Sequence, residues 1–276
     1  EIMVKPANNN LSAIEEDILK VNPGYDYILY AVVVFQFVAL WLFLKSMLVT
    51  EVSLSDTVGR VIAMGLLCGI FGINVAHELG HRVNFVEQLF AKSLLLTSLY
   101  MHFFIEHNLG HHKNVATEKD PATSKLNEPI YFFWVRSVVG GYLNAWKLDN
   151  EQRRKLSVPF FSIHNQMLIF SLCSMAYISL IAAWFGMEVL LWSIGASIIG
   201  FLLLESVNYI EHYGSDFILK GGIGYNKGTQ ESGYEILKLQ SEHYQSQGAL
   251  KIAAYNNYDE TSEATISSDG SILILG

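Results

Sequence analysis

Charge is scarce in this sequence. Asp, Glu, Lys and Arg make up 16% of its 276 residues, while hydrophobic residues reach 51%. A soluble domain carries about 25% charged residues, so an ordinary water-facing surface all round is excluded and the composition is that of a membrane protein. A basic excess is lacking too: the formal net charge is −8, and nothing points to nucleic acid. Cysteine is nearly absent. Cys68 and Cys173 both sit inside apolar stretches and read as small core residues rather than a disulfide or metal ligands. No cleavable signal peptide is visible, because Glu1 and Lys5 open the chain and no short apolar core follows. With no Met at position 1, the chain is expected to be processed, trimmed or a fragment. Gly221, Gly222, Gly224 and Gly228 lack the strand–helix setting of a phosphate loop and read as flexible loop.

The apolar residues that dominate are gathered in long runs. Residues 1–26 are polar and read as a soluble lead-in, residues 27–214 as a transmembrane domain, and residues 215–276 as an extramembrane tail, loosely ordered or built of short strands. Tyr27–Leu44 carries no charge, and roughly 18–20 apolar residues span a bilayer as a helix. Val61–Ala76 runs back and ends on His77. Leu89–Ile105, interrupted by Lys92, ends on a second histidine cluster. A full crossing there would put the two clusters on opposite faces, so a re-entrant or interfacial hairpin is predicted. Lys113–Lys155 reads as a polar segment. Val158–Met187 and Val189–Leu204, separated by Glu188, form a further hairpin ending at Asn208–Gly214. The fold predicted is an all-α integral membrane protein of helical hairpins, with about four spans. Basic residues cluster in 113–155, on the same side as the histidines, and positive residues favour the cytoplasm.

Histidine is concentrated. Six of the 9 histidines lie between Ala76 and His112, five of them in His77-Glu78-Leu79-Gly80-His81 and His107-Asn108-Leu109-Gly110-His111-His112. Histidines four apart share a helix face and can share a metal. His107 and His111 repeat that spacing, with His112 about 100° further round. One ion rarely has room for five imidazoles, so a polynuclear, nitrogen-rich site is predicted. His77–His81 alone also matches the zinc metalloprotease pattern, with Glu78 as general base. A protease, however, needs only one more ligand and leaves the other histidines idle. Imidazole-rich ligation suits iron, copper or zinc, and an iron pair activates O2.

Four stretches make the pattern specific: HELGH at 77–81, HFFIEHNLGHH at 102–112, VATEKDPATS at 115–124 and NYIEHYG at 208–214. With weaker similarity around Ala145-Trp146 and Glu151–Arg154, the chain resembles the membrane alkane hydroxylases over roughly residues 14–214. These are integral-membrane non-haem di-iron monooxygenases of the fatty acid desaturase and hydroxylase superfamily. The resemblance implies two histidine-bound irons facing the cytosol from the inner membrane, held by His77, His81, His107, His111, His112 and His212. It makes Glu78, Glu106, Asp120 and Glu211 carboxylate partners of the imidazole N–H groups. It implies O2-dependent hydroxylation of the terminal methyl of a medium- or long-chain alkane, with electrons passing from NAD(P)H through a reductase to a rubredoxin. Members carry a further R-H-S-D-H-H cluster. Its counterpart here, Leu239–Tyr244, keeps only His243, which the resemblance makes a seventh ligand and its own surroundings make an ordinary surface histidine. Members also have a membrane hairpin ahead of the position of Asn22-Pro23. A fatty-acyl desaturase or hydroxylase of the same superfamily and an inactive remnant are the alternatives.

Other residues have plainer readings. His102 lies off the ligand spacing and reads as core packing or support for a ligand. His164, alone in an apolar run, reads as a core residue. Trp41 and Phe37 read as routine membrane aromatics, with substrate-channel lining the sharper option. Arg153-Arg154-Lys155 reads as a cytosolic anchor at a helix end.

Overall fold

The computed structural model describes residues 23–49 and 51–214, together with three short strands in the C-terminal segment. The chain divides into two compact units, Glu1–Lys113 with Trp134–Val207 and Asn114–Phe133 with Asn208–Gly276. Four helices are long and apolar enough to cross a membrane: Pro23–Ser46, Leu54–Gly80, Gln166–Phe185 and Met187–Glu211. The protein is accordingly an integral membrane protein whose membrane part is all-helical.

The first unit begins with α1 (Pro23–Ser46). Ser53, whose Oγ accepts from the Asp56 N–H at 3.1 Å, caps α2 (Leu54–Leu67). A π-helical turn over Cys68–Ile73 then leads into α3 (Asn74–Gly80), so the long apolar helix ends on the first histidine pair. Asn84 caps α4 (Phe85–Thr97), a helix of 13 residues. At 1.5 Å per residue that is about 20 Å, short of the roughly 30 Å hydrocarbon core. The chain then turns through Leu99, at a φ of 51°, into α5 (Phe103–Ile105), a second π-helical turn over Glu106–His111 and α6 (His112–Asn114). The expected hairpin between the clusters is therefore a short helix and a turn.

Three expectations are corrected here. Lys113–Lys155 is not simply polar connection, because its second half is α7 (Ile130–Lys155), a helix of 26 residues. Its charged end masked the period of its apolar face. Arg153 is no free anchor: it is buried, its Nε donates to Asp149 Oδ2 at 3.2 Å, and its guanidinium lies over Phe160. His164 is exposed rather than core, since the uncharged run from Val158 starts as loop. Helix α8 (Gln166–Phe185) begins only after the Asn165 cap. Helix α9 (Met187–Glu211) follows the turn at Gly186.

Two apolar clusters fill the first unit. One joins Val33, Ile73, Leu79, Leu94 and Met167, and the other joins Leu40, Met64, Cys68, Ile181 and Leu190. The contact between α2 and α9 depends on small residues. A Cβ on Gly65 would stand 2.6 Å from the Ile199 side chain, and one on Gly200 would stand 2.7 Å from Cys68 Cβ. Without a hydrophobic driving force between helices in lipid, such close backbone approach supplies the packing.

In the second unit the stretch 115–124 is clasped by the end of α9. Ser124 Oγ donates to Tyr209 O at 2.8 Å, the Gly214 N–H donates to Ser124 O at 3.0 Å, and Tyr209 Oη donates to Glu128 O at 2.6 Å. The C-terminal segment holds an antiparallel sheet in the order β1 (Ile252–Ala254), β2 (Ser262–Ile266), β3 (Ile272–Leu275). Ala253 pairs with Glu263, and Thr265 pairs with Leu273.

Replacing Gly200 by Leu should force α2 and α9 apart, at a cost of about 1–3 kcal/mol for overpacking. Thermal unfolding in detergent should show a melting temperature several degrees lower. An unchanged melt would contradict the close-packing account.

Candidate metal centre

Two kinds of helical winding bring the histidines together. His77 and His81 lie one α-helical turn apart at the end of α3, with Nε2 atoms 3.1 Å apart. The second cluster uses a different register. The His112 N–H donates to the His107 carbonyl, the i→i+5 bond of a π-turn, and this brings the His112 ring edge-on to His107, with centroids 4.4 Å apart. Their Nε2 atoms are 2.9 Å apart, and His112 Nε2 is 3.3 Å from that of His81. The four-residue spacing anticipated for His107 and His111 gives way to a five-residue one, because a π-turn holds more residues per turn than an α-turn.

The result is a quartet. His77, His81, His107 and His112 each offer a ring nitrogen, and these atoms all lie within 4.8 Å of one another. With metal–nitrogen bonds of about 2.1 Å, neighbouring nitrogens around one ion lie roughly 3 Å apart, which the 2.9, 3.1 and 3.3 Å spacings match. Burial and the neighbouring imidazoles His77, His112, His111 and His81 push the pKa of His107 far below the ordinary range. Burial, then His81, His111 and His77, lower His112 to about 4. Both are neutral at pH 7, with lone pairs free for a cation.

His111 is not in the quartet. It is buried, its ring stacked on His107 at 5.2 Å. His212 follows α9 in the second unit and is half-buried. His243 lies outside the described residues. Of the carboxylates, Glu78 is exposed and bonds Arg82, with Oε1 2.9 Å from its Nη2, while Arg82 Nη1 reaches Asp26 Oδ1 at 3.2 Å. Glu106 is buried at the start of the π-turn and accepts from Asn144 Nδ2 at 3.3 Å. Asp120 is buried in the second unit, its Oδ2 accepting from Thr123 Oγ at 2.5 Å and its Oδ1 from the Ala122 N–H. Glu211 is exposed at the end of α9.

The family model described as fatty acid desaturase matches residues 57–246. The chain belongs to the fatty acid desaturase family. Among curated relatives it is 36% identical to the alkane 1-monooxygenase of Pseudomonas putida over 159 residues, which is 58% of this chain and 39% of that protein. It is 36% identical to the alkane 1-monooxygenase of Acinetobacter baylyi, over 59% of this chain and 40% of the relative. It is 26% identical to the hydroxylase component of the xylene/toluene monooxygenase of Pseudomonas putida, over 56% and 42%. The chain thus spans about two fifths of the length of the relatives it matches.

Sequence reasoning missed a buried carboxylate in the first unit. Glu205, 2% exposed within α9, accepts from Tyr100 Oη at 2.8 Å and Ser137 Oγ at 2.5 Å. A carboxylate just past an uncharged run is itself a signal, since such groups in membrane helices carry function. Asn144 was missed because α7 was not recognised as a helix. Gly110 allows its approach, for a Cβ there would stand 2.8 Å from both Asn144 Nδ2 and Glu106 Oε1.

His102 gives a pH test. Burial lowers its pKa to about 4, below the unfolded value of about 6.5. As pH falls from about 6.5 towards 4, the unfolded chain binds a proton that folded His102 refuses, so stability falls by about 1.4 kcal/mol per unit. Between pH 7 and 5 the metal-free protein should therefore lose about 2 kcal/mol more than a His102→Phe variant, read as the difference between their melting shifts. Equal shifts would contradict the buried, neutral imidazole.

Proposed function

We propose that the chain is a non-haem di-iron monooxygenase that hydroxylates the terminal methyl of a medium- or long-chain alkane, RCH3 + O2 + 2e⁻ + 2H⁺ giving RCH2OH + H2O. The observation that carries this reading is the convergence of four imidazole nitrogens within 4.8 Å. The alkane 1-monooxygenase relatives and membrane-spanning helices support it. His77, His81, His107 and His112 would hold one iron. The roles of His111, His212 and His243, and the second iron itself, rest on the family resemblance. Iron bound there would supply the O2-derived oxidant that replaces a terminal C–H by C–OH. The residues of this chain keep His107 and His112 neutral by burial and hold their rings: Phe103 stacks on His107 at 4.7 Å, and Glu106, tied to Asn144, anchors the π-turn. Electrons would arrive from a rubredoxin-type donor reduced by an NAD(P)H-dependent reductase. The exposed Arg154 and Lys155 favour a cytosolic site in an inner membrane.

The fatty acid desaturase description of the matching family model favours one second reading, an acyl-chain desaturase or hydroxylase. Turnover of alkane and acyl substrates with a reconstituted electron donor separates the two: a primary alcohol from the alkane supports the proposal, and product from acyl substrate alone sinks it. His107→Ala should lose at least tenfold in iron affinity, read by elemental analysis of protein purified from iron-supplemented cells. Full iron content and full turnover in that variant would refute the quartet as the metal site.

A further inference from the structure

A second feature of the first unit lies one aromatic ring from the quartet. A groove of about 610 Å³ runs between the α4–α5 turn, α7, α8 and α9, walled by Met101, Val138, Leu143, Met167, Phe170 and Ile178 among others. That volume falls within the usual range for small-molecule sites. Tyr100 on the groove wall stacks with Phe103 at 6.1 Å, and Phe103 in turn stacks on His107 at 4.7 Å.

The wall is apolar apart from a few groups, most of them already committed. Tyr100 Oη donates to Glu205, and Ser171 Oγ donates to Met167 O. Ser174 stands half-buried on the wall. His102 differs. It lines the groove, it is 8% exposed, and its Nε2 is buried with no hydrogen-bond partner among the described residues. Its ring is fixed between Tyr100 at 4.4 Å and Tyr142 at 5.3 Å, and Tyr142 is exposed and forms the outer wall. A buried polar atom without a partner is costly, so an orphaned imidazole nitrogen beside an apolar groove marks the place of a ligand's polar end.

We propose that this groove binds a long-chain primary alcohol, its hydroxyl paired with His102 Nε2 and its chain laid along Met101, Leu143, Met167 and Phe170. An alkane has nothing to offer the imidazole. A carboxylate would carry its own charge into an apolar wall with no cation to pair it, which is costly. A hydroxyl both donates and accepts, so it satisfies the neutral ring in either tautomer. As a holding site for product the groove rests on the hydroxylase reading; as a binding site it does not.

The test uses the full chain in lipid nanodiscs without added iron or electron donor, so it reads binding alone. A long-chain primary alcohol bearing a mid-chain diazirine is photolysed and the labelled peptides are mapped. Label is expected on the segments holding Met101, Leu143 and Met167. The unlabelled alcohol should compete about tenfold better than the alkane or carboxylic acid of equal length, the worth of one hydrogen bond. His102→Phe should abolish that preference, and His102→Asn should restore part of it, with melts confirming that both variants fold. Alkane or acid competing as well as alcohol would overturn the proposal, as would label spread evenly over the lipid-facing helices or unchanged binding by His102→Phe. Failure of the hydroxylase reading would show instead as missing iron or product, with this labelling intact.

Discussion

Four imidazole nitrogens occupy one small volume here because two backbone segments present their side chains in different registers. The first segment does so with an ordinary α-turn, His77 over His81. The second needs the i→i+5 winding of Glu106–His111, which sets His112 over His107 with Nε2 atoms 2.9 Å apart. A regular α-helix would have turned His112 about 140° round the axis from His107. The extra winding is held from outside. Gly110 leaves room for Asn144 and Leu148 of α7, and Asn144 bonds the Glu106 carboxylate at the start of the turn. The earlier π-turn at Cys68–Ile73 acts in the same way, rotating the face of α3 relative to the apolar helix that precedes it. Both histidine pairs are therefore aimed by local departures from the α-helix rather than by regular helix alone.

Those departures are tolerable because the surrounding core is tied by polar contacts that lipid cannot replace. Glu205 collects hydroxyls from Tyr100 and Ser137, which joins the α4–α5 turn, α7 and α9 at one carboxylate. Gln36, fully buried in α1, reaches Thr97 at the end of α4 and Cys68 in the first π-turn. Buried hydrogen bonds are directional, whereas apolar packing between membrane helices is not. The apolar clusters settle which helices touch, and the polar contacts settle at what rotation. The π-turns need the second kind of information.

The same division explains what could be read from sequence. Long apolar runs and histidine spacing are periodic signals, so the four spans, the short α4 hairpin and the membership of His77 and His81 in one site were legible. The i→i+5 pairing of His107 with His112 was not, because nothing in His107-Asn108-Leu109-Gly110-His111-His112 distinguishes a π-turn from an α-turn until Asn144 is known to press on Gly110. Helix α7 was hidden for a related reason: its last turns carry Glu151, Arg153, Arg154 and Lys155, and that charge reads as connection when Asp149 is not seen neutralising Arg153. His164 was misplaced by the opposite error, since an uncharged run was taken as helix where the chain is still loop.

The resemblance implies two iron positions. The quartet draws all its nitrogens from residues 77–112, so the first position depends on α3, the α4 hairpin and the second π-turn alone. The segment around His243, where the family's third cluster is reduced to one histidine, supplies none of those four nitrogens. The second position would need donors drawn from farther along the chain, and His111 is its one candidate on the same turn as the quartet.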